Sequence, residues 1–220
     1  MKILILADGE GKRWGNYQGV PKQLLKIDGE TLLDRMIRQC RENGADDITI
    51  IGDFKGDARN DQFTSRDKRH LFLEIAERYK EPFILLNGDC FYTDAIIRDC
   101  LTREAKGGWL HWCCPHENIY TGKPWGEGYI HKVTNVDWWI RKLKEYNELV
   151  DNGMPTGNDW SINRFLYGAS DIITHSSNPA DLSKYDVYWH DETDDFDFPE
   201  DYDRFIQWTG RSDEENTEDL

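Results

Sequence analysis

The stretch Lys2-Ile3-Leu4-Ile5-Leu6-Ala7-Asp8-Gly9-Glu10-Gly11-Lys12-Arg13 decides the fold. Residues 3–7 are apolar without interruption, the pattern of a strand buried on both faces, and they run straight into glycines that serve a tight turn. The run is too short for a signal peptide and stops at Asp8, so it reads as a first strand. The pattern returns at Ile48-Thr49-Ile50-Ile51-Gly52-Asp53 and at Phe83-Ile84-Leu85-Leu86-Asn87-Gly88-Asp89. Helices fit between and after these strands. Thr31 can cap one through Leu32, Leu33, Met36, Ile37 and Cys40, which Gly44 is placed to end. Residues 66–80 carry Leu71, Phe72, Ile75, Ala76 and Tyr79 at helical spacing before Pro82, and Thr93 opens another helix through Ile96, Ile97 and Leu101. Residues 54–65 read as loop. Strand and helix therefore alternate three times, which predicts an α/β class, a Rossmann-like three-layer α/β/α fold with a mostly parallel central sheet. In such a fold the ligand site lies beyond the carboxyl ends of the strands.

The second half is less regular. Residues 109–114 and 128–134 read as strands around a Gly/Pro-rich loop, and 136–150 as a helix with Trp139, Leu143, Tyr146 and Val150 on one face. Asp159 can cap a short helix with Trp160, Ile162, Phe165 and Leu166. Residues 185–190 read as a late strand, and Pro199 suits the first position of a final helix through Tyr202, Phe205, Ile206 and Trp208. No internal repeat or linker divides the chain. The expected organisation is one domain over 1–211, with a nucleotide-binding half (1–105), an acceptor-binding half (106–190), and a closing motif and helix (191–211). Residues 212–220 hold five acids and no periodic pattern, and are expected to form a disordered acidic tail.

The formal charge of −15 argues against nucleic acid as a partner, since phosphate backbones are held by basic patches. The distribution is uneven, with residues 1–26 at +3 and residues 190–220 at −11. No apolar stretch approaches the ~20 residues of a membrane span. The five cysteines, Cys40, Cys90, Cys100, Cys113 and Cys114, have neither zinc nor disulfide spacing, so reduced thiols in a cytoplasm are the simplest reading. His111 and His116 lie near Cys113 and Cys114, but adjacent cysteines in a strand point to opposite faces and make a poor metal site.

Glycines directly after a buried strand let backbone N–H groups approach an anion closely, and Lys12, Arg13 and Lys22 add full charges. The loop is not a P-loop, because no Lys-Ser/Thr follows, and Trp14 stands where a dinucleotide fingerprint needs its third glycine. On these residues alone a plain tight turn stays open.

Residues 6–13 followed by Pro21-Lys22 resemble the L-x-A-G-x-G-x-R…Pro-Lys signature of the nucleotidyltransferase superfamily that makes nucleotide sugars and related activated compounds. Asp8 stands where that family often has alanine. Leu86-Asn87-Gly88-Asp89 resembles the family's strand-ending Gly-Asp, and Asp195-Phe196-Asp197-Phe198-Pro199-Glu200-Asp201 resembles its late Asp-x-Asp-Thr-Pro-Glu-Asp, with Phe198 replacing threonine. The resemblance covers residues 2–101 and, by motif, 189–208.

It implies the nucleotide-diphospho-sugar transferase type of fold and a Mg²⁺-dependent transfer that joins a nucleoside triphosphate to a sugar phosphate or similar small phosphorylated acceptor. The products are a nucleotide sugar or NDP-alcohol and pyrophosphate. It also implies roles for residues: Ala7, Asp8, Gly9, Gly11 and Lys12 around the nucleotide, Arg13 on the leaving pyrophosphate, Lys22 on the α-phosphate, and Asp89 with Asp197 on Mg²⁺. Mg²⁺ commonly takes one or two protein carboxylates and leaves its other positions to phosphate and water, which two such aspartates satisfy. Whether Asp195 shares the metal stays open, and for Asp195 and Asp197 alone an ordinary use at a helix N-terminus is the alternative.

The acceptor is expected near Trp125, Glu127, Tyr129 and Lys132, among aromatics that could face a sugar phosphate, box a quaternary ammonium such as choline, or simply pack. The resemblance favours CTP or UTP, with Asn60, Asp61, Gln62 and Ser65 as candidate base contacts. Oligomeric state is not readable. Competing readings are a glycosyltransferase using a finished nucleotide sugar and a catalytically silent nucleotide-binding subunit.

Overall fold

The computed structural model describes residues 1–9, 11–15, 17–52, 59–63, 67–114, 117–124, 127–154, 159–168 and 184–212. In chain order the first half forms β1 (Lys2–Leu6), a 3-10 turn at Lys22–Leu24, β2 (Lys26–Ile27), β3 (Glu30–Thr31), α1 (Leu32–Glu42), β4 (Ile48–Ile51), β5 (Arg59–Asp61), α2 (Lys68–Tyr79), β6 (Phe83–Asn87), β7 (Cys90–Phe91) and α3 (Asp94–Thr102). The second half adds β8 (Trp109–Cys114), β9 (Glu127–Val133), α4 (Val136–Asp151), α5 (Asp159–Tyr167), β10 (Asp186–Tyr188), β11 (Asp194–Asp195) and α6 (Pro199–Thr209).

Seven strands form one sheet in the order β10-β8-β9-β6-β1-β4-β5. β1 lies between β4 and β6, parallel to both, with Ile3 opposite Ile48 and Ile84. β9 alone is reversed, antiparallel to β6 on one side and β8 on the other. Alternate residues of the strands feed two apolar layers. Ile3, Ile5, Ile84, Leu86 and Trp112 meet Met36 of α1, Ile97 of α3 and Phe205 of α6 on one face. Leu4, Phe83, Leu85 and Trp109 meet Phe72 of α2, Trp139 of α4 and Ile162 of α5 on the other. Helices on both faces of a mostly parallel sheet make the three-layer α/β/α fold that the alternation predicts.

Local chemistry sets the element ends. Thr31 Oγ1 accepts from Asp34 N at 3.0 Å, and Thr93 Oγ1 from Ile96 N at 3.4 Å, so both threonines cap the helices expected of them. Pro199 opens α6, and Gly210 closes it at φ 69°.

Two features depart from the sequence reading. Part of the stretch read as loop at 54–65 is β5, which pairs parallel with β4 at the sheet edge. Its residues Arg59, Asn60 and Asp61 carry no apolar signal because an edge strand needs backbone bonds on one side only. Short antiparallel pairs, β2 with β3 and β7 with β11, also went unread. Of the expected acidic tail, Ser212 is held by Asp28, donating to its Oδ1 at 3.1 Å, and residues 213–220 lie outside the described ones. No helix among the described residues is long and apolar enough to cross a membrane.

Candidate active site

Three chain segments meet at the carboxyl edge of the parallel strands: the loop after β1, the turn after β6, and the residues leading into α6. Gly88 locks the first two together. Its N–H donates to the Leu6 carbonyl at 2.8 Å, and a Cβ at this position would lie 2.3 Å from the same oxygen. Only glycine fits, and the close approach sets Asp89 beside the β1 loop. In that loop Ala7 is buried with its N–H on the Ile51 carbonyl at 2.8 Å, Asp8 and Gly11 are half-buried, and Gly9 and Lys12 are exposed. Gly11 adopts φ 57°, a left-handed conformation that a side chain would strain. Trp14, the residue that spoils a dinucleotide fingerprint, anchors the loop. Its indole is buried and lies 3.2 Å from both the Tyr17 and Val20 carbonyls.

The third segment is joined through backbone. β11 pairs with β7, Asp195 opposite Cys90, and Phe196 N reaches the Asp89 carbonyl. Asp201, third residue of α6, accepts from the N–H groups of Asp197 and Phe198 at 3.0 and 2.9 Å. That carboxylate turns the chain so that Asp197 faces Asp89. It gives the final Asp of the late motif a role that residue type alone did not reveal, although a helix-start carboxylate is the signal that could have found it.

Cations already sit between these acids. Lys22 Nζ is 2.8 Å from Asp89 Oδ2 and 3.9 Å from Asp197 Oδ1, and Arg13 NH1 donates to Asp197 Oδ2 at 2.9 Å. Arg13 is otherwise open to solvent, with its guanidinium over the ring of Phe198. Burial alone would lower the Lys22 pKa, but Asp89, Asp195 and Asp197 hold it above its ordinary value. Burial acts on Asp89 in the opposite sense, and Lys22 outweighs it to keep that carboxyl below the usual range. Asp197 is pushed up by its own burial and by Asp195. One position thus lies within reach of two hard oxygen donors and holds a positive charge, an arrangement that fits Mg²⁺.

Beside it lies a second charged group. Lys123, which in the sequence stands among the residues expected near the acceptor, is buried, bonds Asp195, and lies 3.8 Å from Glu127 Oε1. Glu127 is driven well above its ordinary pKa by burial and by Asp195. The other acceptor candidates separate. The Tyr129 hydroxyl lies 3.2 Å from Asp194 Oδ1 in the interior. Lys132 is placed elsewhere: its ammonium donates to the carbonyls of Cys100, Leu101 and Arg103 at 2.9, 3.2 and 2.6 Å, closing the end of α3. A lysine on a strand gave no sign of which neighbouring helix would need its charge. Trp125 lies outside the described residues, as do His116 and Ser65.

Cys113 and Cys114 do point to opposite faces. Cys114 Sγ lies 3.7 Å from His190 Nδ1, whereas Cys113 joins His111 and Asp186, whose potential ligand atoms lie within 4.8 Å of one another. His111 Nδ1 is 3.0 Å from Asp186 Oδ1 and its Nε2 is 3.2 Å from Asn163 Nδ2, so both ring nitrogens already have partners.

Residues 3–83 match the MobA-like NTP transferase domain. The matched segment contains the β1 loop and Lys22 and ends before Asp89. Solved structures extend the likeness to the whole fold. The CTP:phosphocholine cytidylyltransferase of Streptococcus pneumoniae aligns over 94% of this chain and 98% of its own, with TM-score 0.60 and 15% identity. A putative glucose-1-phosphate thymidylyltransferase from Bacillus anthracis aligns over 94% of both chains, with TM-score 0.61 and 13% identity. The 4-diphosphocytidyl-2C-methyl-D-erythritol synthase of Anaerococcus prevotii covers 96% of this chain and 98% of its own, with TM-score 0.61 and 10% identity. The chain matches none of the curated proteins. The domain match is confined to residues 3–83, and what the whole chain shares with these solved structures is the fold.

Proposed function

We propose that the chain is a Mg²⁺-dependent nucleotidyltransferase that joins CTP or UTP to a sugar phosphate or similarly small phosphorylated acceptor and releases pyrophosphate. The observation that carries this reading is the Lys22 ammonium lying between Asp89 and Asp197, with Arg13 on the outer oxygen of Asp197. Two carboxylates and two cations at the carboxyl edge of the sheet suit a polyanion that arrives with its own metal. Bound Mg²⁺ would be held by Asp89 and Asp197 and would neutralise charge on the triphosphate. Lys22 and Arg13, released from the carboxylates, then turn to phosphate oxygens. Lys22, the more buried, serves the α-phosphate where bonds change. Arg13, the more exposed, serves the departing pyrophosphate.

The backbone of Gly9 and Gly11 lines the phosphate path, with Ala7, Asp8 and Lys12 around it. Nucleotidyl transfer asks little covalent work of a protein, so placing an acceptor oxygen in line with the α-phosphorus and stabilising charge account for most of the rate. The acceptor approaches from the side of Glu127 and Lys123, across the site from the β1 loop.

Pyrophosphate release, measured with four nucleoside triphosphates against a panel of sugar phosphates and phosphocholine, tests the proposal. Release that needs one triphosphate, one acceptor and Mg²⁺ together is expected. A folded protein that releases pyrophosphate with no pair in the panel, yet transfers sugar from a finished nucleotide sugar, would replace this reading by a glycosyltransferase.

A further inference from the structure

Next to the cation position between Asp89 and Asp197 is a second convergence of carboxylates, which shares Asp197 with the first. Glu127 at the start of β9, Asp195 at the end of β11, and Asp197 bring oxygens within 4.8 Å of one another. Three oxygens at that spacing are enough to seat a divalent cation. Two of these carboxylates meet the Lys123 ammonium, which is bonded to Asp195 and lies 3.8 Å from Glu127 on a side chain only 2% exposed.

The loop that brings Lys123 there is fastened on several sides. The Lys123 carbonyl accepts from Asn118 N at 3.1 Å, and Gly122 N donates to the Asn118 carbonyl at 2.7 Å. The Asn118 side-chain amide donates to the Thr193 carbonyl at 3.2 Å, and Arg204 NH1 donates to the Thr121 carbonyl at 2.6 Å. Thr121 also bonds Asp194, next to Asp195. The two lysines of the site therefore differ in kind. Lys22 serves a carboxylate, Asp89, that is 29% exposed and open to an incoming ion, whereas Lys123 is enclosed and its loop is tied to the strand that carries its partner.

We infer that Lys123 is the permanent counter-ion of this second cluster, standing where a second divalent cation would otherwise bind, so that the site takes one metal ion and not two. A simple ion pair with Asp195 would not require Glu127 to lie 3.8 Å from the same ammonium. A buried lysine also needs this much negative charge to remain ionised away from water. Its fixed charge keeps Glu127 and Asp195 from repelling the acceptor's phosphate, a task that a second metal would otherwise perform. The inference rests on the proposed function for its first metal ion, but the place of Lys123 does not depend on that reading.

Mn²⁺ counted by electron paramagnetic resonance provides the test. It is applied to the full chain without nucleotide and to the chain saturated with an α,β-methylene triphosphate analogue. The wild type with analogue should hold one Mn²⁺ per chain. Lys123→Met, without nucleotide, should gain a site that the wild type lacks, binding at this cluster roughly thirtyfold tighter than in the wild type. That is the factor one unit charge contributes ~4 Å from a divalent ion even at the dielectric constant of bulk water. Lys123→Arg, which keeps the charge, should gain nothing.

Two ions in the wild-type complex, or a folded Lys123→Met with the wild-type count, would overturn the inference. Should Lys123→Met fail to fold, the wild-type count of one or two decides alone. Should the chain fail to bind the analogue, the proposed function falls, and the nucleotide-free comparison of wild type with Lys123→Met still decides the role of Lys123.

Discussion

Lys22→Met removes one ammonium while keeping most of the buried stem, so its cost can be worked from two distances. The charge lies 2.8 Å from Asp89 and 3.9 Å from Asp197. At an effective dielectric constant of about 20 these attractions are about 6 and about 4 kcal/mol before desolvation is counted. Desolvation of a lysine whose side chain is only 10% exposed offsets much of that, and removing one partner of a buried pair costs about 3–5 kcal/mol in general. Here Asp89 is 29% exposed and Asp197 keeps Arg13, so the expected loss lies just below that range, about 2 kcal/mol.

Urea unfolding at pH 7.5, followed by tryptophan fluorescence, measures it. Mg²⁺ should then restore what was lost: at ten times its Kd it stabilises the variant by about 1.4 kcal/mol. The wild type, whose position is already filled, should gain less, and the gap between the two should narrow. A variant as stable as the wild type, or one that gains no more from Mg²⁺ than the wild type does, would refute the view that Lys22 occupies the cation position.

Asp197→Asn should lower turnover by at least ~100-fold with the fold intact, as loss of a charge-stabilising group does; near-normal pyrophosphate release would move the assignment to Asp195. Lys132→Met should cost about 2–3 kcal/mol in urea unfolding, because three carbonyls lose a charged donor, while leaving the acceptor KM unchanged; a KM shift without loss of stability would return Lys132 to the acceptor site. His131 is kept well below its ordinary pKa by burial and by His111, so the unfolded chain takes up a proton that the native chain refuses. Relative to His131→Phe, the wild type should lose about 1.4 kcal/mol for each pH unit below about 6.5. Asp194, whose carboxyl burial pushes up to about 7, titrates in the opposite sense but equally in both proteins, so only parallel pH profiles would contradict the assignment.

The parts of this molecule that show in its sequence are those where local chemistry and burial agree. Residues 3–7, 48–51 and 83–87 are apolar on both faces because helices cover both sides of the sheet. Thr31, Thr93 and Pro199 mark helix starts because a backbone N–H needs a partner, or needs none, at those positions. Loop glycines are legible for a similar reason: Gly88 is demanded by an oxygen that leaves no room for a Cβ. β5 was not legible, since an edge strand of Arg, Asn and Asp carries no apolar signal. Nor was the destination of long polar side chains. Lys123 and Lys132 are both lysines near β9, and only the tertiary arrangement sends one to a carboxylate cluster and the other to the end of α3. Asp201 was read with the late motif, but its work, holding two N–H groups so that Asp197 turns inward, depends on chain geometry that residue identity does not carry.

The reversal of β9 has a consequence for how such a protein can change. A parallel crossover must return to the far edge of the sheet before the next strand begins, so altering it disturbs a helix and its layer. Between β8 and β9 the chain leaves and re-enters at the same edge, and the described part of this connection, residues 117–124, is anchored by Asn118 on the Thr193 carbonyl, Thr121 on Asp194 and Lys123 on Asp195. Loop closure becomes costlier by only about 0.6 kcal/mol for each doubling of length, so the connection can lengthen between those anchors at small entropic cost. Growth there leaves the parallel core of the sheet undisturbed so long as the three anchors hold.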